Sequence, residues 1–74
     1  MMSEKSCEAH IIGPDGPPIT QTWKIGENIP ETTYEASKCE AGEIYVMYFY
    51  KAGKKEFRVI PKALFEKAKT DFGY

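Results

Sequence analysis

Ser6, Cys7 and His10 are residue types that nucleophilic catalysis uses, and they lie close together near the start of the chain. A Cys–His couple must sit within hydrogen-bond reach, yet strand residues three apart point to opposite faces, so Cys7 and His10 would meet only across a local twist. The expectation is a small structural thiol and a surface histidine. Cys7 and Cys39 are the two cysteines and His10 the single histidine. A structural zinc site shows close ligand pairs, and no CxxC pair is present, so neither a metal nor another cofactor is expected. Residues 13–18, GPDGPP, lack the lysine and the following helix pattern of a phosphate loop. Asp15 and the scattered glutamates read as turn and solubility residues, not as a paired acid and base. These patterns point away from an enzyme.

Recognition chemistry is better represented. Tyr45, Phe49 and Arg58 offer rings for stacking and a cation for phosphate, the combination used by platforms that bind single-stranded nucleic acid. Lys54, Lys55 and Lys62, with Arg58, form a candidate anion-binding set. Residues 1–50 carry three lysines against eight acids, a balance of −5, whereas residues 51–74 balance at +4. Within a small fold these halves are expected to neutralise each other, and the whole chain is near neutral at −1. Nucleic acid is therefore the alternative partner, behind a protein or a second copy of the chain.

The elements that must position these residues are legible in outline. Seventy-four residues make one small domain whose stability needs support, and one Trp, five Tyr and four Phe can supply dense packing. Residues 1–6 are expected to be a disordered N-terminus and 7–25 a first hairpin with its loop at GPDGPP. In its second strand Ile19, Gln21, Trp23 and Ile25 alternate with Thr20, Thr22 and Lys24. Residues 26–42 read as a loop or one short helix capped by Thr32 or Thr33, with Tyr34 and Ala36 turned inward.

Residues 43–60 form the second hairpin, apolar or aromatic without interruption from Ile44 to Tyr50. A tip at Gly53 and Lys54 is preferred, because moving it to Ala52 and Gly53 opposes Lys51 to Lys54, a like-charge pair. One face then holds Ile44, Val46, Tyr48, Tyr50, Phe57 and Val59; the other holds Tyr45, Met47, Phe49, Arg58 and Ile60. The first is expected to be core, covered by an amphipathic helix over residues 61–71 that buries Leu64, Phe65 and Ala68. The second is expected to be covered by the N-terminal hairpin through Trp23 and Ile25, or to serve as an interaction face.

Residues 43–68 loosely resemble the short KTSC domain: a strand, a glycine turn, a strand ending in a hydrophobic residue and Pro61, then a helix entering as ALFEKA. The resemblance leaves residues 1–42 unmatched and implies no activity. No apolar run of signal-peptide or membrane-spanning length is present, so a cytoplasmic protein with two free thiols and no membrane contact is expected. The sequence thus predicts an α+β domain, two hairpins making a mainly antiparallel sheet of about four strands with one C-terminal helix. Its expected role is non-enzymatic, acting through protein contacts or as a homodimer.

Overall fold

The computed structural model describes residues 5–39 and 42–74. Strands β1 (Ser6–Gly13) and β2 (Gly16–Lys24) form the first hairpin, β5 (Glu43–Lys51) and β6 (Lys54–Ile60) the second, and helix α1 (Lys62–Phe72) follows. Between the hairpins lie the two-residue strands β3 (Asn28–Ile29) and β4 (Tyr34–Glu35) and a 3₁₀ turn at Ala36–Lys38. The main sheet runs β2-β1-β5-β6. It is mostly antiparallel, with one helix on one face, and belongs to the α+β class that the sequence predicts. The expected N-terminal disorder over 1–6 falls largely outside the described residues; Ser6 opens β1 and the Lys5 carbonyl accepts the Ile25 N–H at 3.0 Å.

The hairpins join through a parallel pair. β1 lies beside β5 with Ala9 opposite Ile44 and Ile11 opposite Val46. Parallel neighbours need a long crossover, and the chain between β2 and β5 supplies it by passing over one sheet face. That face holds Cys7, Ala9, Ile11, Ile44, Val46 and Tyr48, and the crossover seals it with Ile29 and Ala36, all of them buried. Helix α1 covers the opposite face, where Phe65 and Ala68 close over Ile12, with Tyr45, Met47 and Ile60 packed around them. The continuous apolar run of β5 follows from this arrangement: it is a central strand covered differently on its two sides.

Three expectations are corrected here. The N-terminal hairpin does not cover the Tyr45 face; it extends the same sheet, because the parallel β1–β5 ladder places it edge to edge with the second hairpin. Helix α1 packs on the Tyr45 face, since the crossover already occupies the Tyr48 face. Leu64 is consequently 52% exposed and Val59 39%, so neither joins Phe65 in a core. For residues 26–42, expected as a loop or one short Thr-capped helix, the described residues show turns with the β3–β4 pair and the 3₁₀ turn and no α-helix, and Ala36 is buried and Tyr34 partly so, as predicted.

The thiols are also not free. Cys7 and Cys39 form a disulfide across 32 residues, with Cα atoms 6.2 Å apart, inside the range such a bond requires. It fastens the end of the crossover to the buried face of β1, next to Trp23, which pairs with Cys7 in the β1–β2 ladder. Spacing alone could not show this, because the two cysteines approach only after the crossover has folded back.

Candidate interaction surface

The hairpin turn fixes which backbone groups of β6 are available. Lys51 pairs with Lys54 around Ala52 and Gly53, whose φ values of 54° and 80° give both turn residues the left-handed backbone of a two-residue hairpin turn. The closing pair of such a turn exchanges both of its hydrogen bonds, and bonded and non-bonded pairs then alternate along the ladder. Glu56 and Arg58 therefore bond to β5, while Lys55, Phe57 and Val59 turn their N–H and C=O groups outward. Since β6 ends the sheet, no strand among the described residues takes up these groups.

The other edge differs. β2 opens with Gly16, Pro17 and Pro18, and proline lacks an N–H with which to pair. β6 has no proline before Pro61. Its lysines could guard the edge, yet the ammonium of Lys55 lies 4.6 Å from the centroid of the Tyr48 ring, drawn back over the sheet. At the end of β6 an open groove of about 670 Å³ is lined by Tyr34, Ile44, Val59 and Pro61, with Glu43 and Lys62 also in its wall.

The predicted interaction face divides into two parts. Tyr45, Met47 and Ile60 lie against helix α1. The ring of Tyr45 stacks on His10 at 5.1 Å and meets Phe65 at 5.1 Å, so its faces serve internal packing. Phe49 stays partly exposed with the Arg58 guanidinium 5.4 Å from its centroid, a cation–π contact that the diagonal cross-strand position permits. The predicted anion-binding residues do not converge. Lys54 and Arg58 share the helix face and Lys55 the opposite one, while Lys54 and Lys62 are separated by most of β6, roughly 20 Å at ~3.3 Å per residue.

Beside the groove lies a polar cluster that the sequence reading missed. His10 and Glu8 project from one face of β1, and Glu43 projects beside them from β5, directly opposite Glu8. The ligating atoms of Glu8, His10 and Glu43 lie within 4.8 Å of one another. Such a mixed imidazole–carboxylate set suits a transition-metal ion better than calcium or magnesium. In the chain itself His10 and Glu43 are bonded to each other and to their neighbours, with the Glu8 carboxylate 4.0 Å from His10 Nε2. His10 Nε2 donates to Glu43 at 3.2 Å and its Nδ1 accepts from the Thr20 hydroxyl at 3.3 Å, in the tautomer that satisfies both.

Tyr45 donates its hydroxyl to Glu43 at 3.0 Å. That bond, with the one from His10, holds the Glu43 carboxyl below the usual carboxylate range, while loss of solvent and the same glutamate push the Tyr45 phenol up. The E-x-H spacing at Glu8 and His10 was a visible sign of a shared strand face. Glu43 joins them only through the parallel ladder, which the sequence does not announce. Cys7 and His10 fall on opposite faces, as their spacing predicts.

Comparison with family models, with curated proteins and with solved structures finds no match for this chain.

Proposed function

We propose that this chain is a small non-enzymatic interaction module that binds another protein strand along β6. The observation that carries this reading is the outer edge of β6, where backbone groups of Lys55, Phe57 and Val59 that no described strand takes up run toward a partly apolar groove. Adding a strand to such an edge draws affinity from main-chain hydrogen bonds and specificity from neighbouring side-chain pockets. The edge replaces the Tyr45 face as the working surface, because the helix already occupies the larger part of that face.

Nucleic acid has weaker support. Its stacking platform is reduced to Phe49 once Tyr45 is packed between His10 and Phe65. Among the described residues no helix is long and apolar enough to cross a membrane. A cytoplasmic protein with two free thiols was expected because no apolar run of signal-peptide length is present; the thiols are instead bridged as Cys7–Cys39, and a bridged chain fits an oxidising compartment.

Val59→Pro tests the module. The Val59 N–H faces outward, so proline there removes a donor from the edge while leaving the bonds to β5 in place. Sedimentation and affinity capture are run on the wild type and on a variant whose circular dichroism is unchanged. Association that proline abolishes, and that survives high salt, is expected. Association undiminished by proline, or none for the wild type, contradicts the proposal; steep loss with salt indicates phosphate contacts instead.

A further inference from the structure

We propose that the strand taken up by β6 is β6 of a second copy of this chain, running antiparallel about a twofold axis normal to the sheet and centred on Phe57. This rests on the edge reading above and adds a partner and a register to it.

Symmetry limits the choices. A twofold axis normal to the sheet keeps each face on its own side, so opposed residues must share a face and the axis must pass through a residue of β6. Centring on Glu56 would oppose glutamate to glutamate and Lys54 to Arg58. Centring on Arg58 would oppose arginine to arginine, and centring on Lys55 would oppose lysine to lysine. Centring on Val59 would run Phe57 against Pro61, which has no N–H to give. Only the Phe57 centre overlaps the whole strand without setting like charges opposite each other.

In that register Glu56 of each copy faces Arg58 of the other, giving two opposite-charge pairs across the interface. Both residues are exposed, and neither forms an ion pair with a described residue of its own chain. Lys55 faces Val59 of the second copy, with its ammonium withdrawn over Tyr48, and Lys54 faces Ile60. Phe57 faces its own counterpart, an aromatic pair on the core side of the sheet. Lys55, Phe57 and Val59 are the residues whose backbone groups point outward, so these pairs are the hydrogen-bonded ones.

Charge reversal decides the register. Sedimentation equilibrium should show a dimer for the wild type, weakened roughly tenfold or more by Glu56→Lys or Arg58→Glu alone, because each single reversal turns both attractive contacts repulsive. The double reversal should restore the dimer, and an equimolar mixture of the two single variants should form a mixed dimer. An isotope-filtered NMR contact between the Phe57 rings of two wild-type copies gives the same answer without substitution. A wild type that stays monomeric at high concentration overturns the self-pairing, as does a dimer indifferent to both single reversals. The edge reading survives either result if Val59→Pro still abolishes capture of another protein.

Discussion

The ring of Tyr48 occupies the space that a side chain on Gly13 would fill: a Cβ built on Gly13 would lie 1.9 Å from the ring. Tyr48 extends its hydroxyl past that point to accept the Asp15 N–H at 3.2 Å, which ties the first hairpin loop to the middle of β5. Gly13→Ala should therefore displace the ring and cost roughly 1–3 kcal/mol, the usual range for forcing atoms into a packed site. Denaturant unfolding of the two chains measures it. Equal stability would mean that the ring does not depend on the glycine.

The disulfide predicts a mass and a stability. Native protein should weigh two hydrogens less than the reduced chain and resist thiol-blocking reagents until reduced. Closing a loop of 32 residues should contribute on the order of 3–4 kcal/mol through the unfolded state. Cys39→Ser should lower the melting temperature accordingly and loosen the crossover from the Ile44–Val46 face.

Two neighbouring helix residues should behave very differently. Phe65 is 4% exposed between Ile12, Tyr45 and Met47, and Phe65→Ala should cost about 3–5 kcal/mol. Leu64 faces solvent, and Leu64→Ala should change stability by no more than ~0.5 kcal/mol. Thermal melts of both variants distinguish this packing from one with the helix on the Tyr48 face, which would make Leu64 costly as well.

Tyr50 donates its hydroxyl to the Asp15 carboxylate, and this bond, followed by loss of solvent, pushes its pKa up to about 12. A phenol whose pKa is raised by folding adds stability that is complete below its unfolded value near 10. That contribution disappears as pH rises through about 12. Ultraviolet titration should find this tyrosine ionising late, and Asp15→Asn should return it toward 10.

How much of this was legible follows from where the information lies. Alternation from Ile19 to Ile25, the uninterrupted apolar run from Ile44 to Tyr50 and the turn residues located the two hairpins, and the face assignments of β5 and β6 hold residue by residue. The hairpin register does not: Lys51 pairs with Lys54, the arrangement the sequence reading set aside for its like charges. Both lysines are exposed, so water screens their repulsion to a few tenths of a kcal/mol, and a turn with glycine in its second position prevails. The crossover was legible only in the inward turn of Ala36 and Tyr34, because Ile29 is an isolated apolar residue in a turn-rich stretch with no period to show which sheet face the segment covers. Without it, the cover for the Tyr48 face was misassigned to the helix, and the disulfide could not be foreseen. The candidate edge was hidden for the same reason, since strand order depends on the parallel β1–β5 pair.

The central claim, that β6 takes up a strand through its outer backbone, is tested most directly by amide hydrogen exchange resolved along β6. In dilute, dissociated protein the amides of Glu56 and Arg58 should be protected by β5, while those of Lys55, Phe57 and Val59 exchange rapidly. On association, with a second copy at high concentration or with a captured protein, the Lys55, Phe57 and Val59 amides should become protected and the others should change little. A Phe57 amide that exchanges at the same rate in the free and associated states would contradict the account.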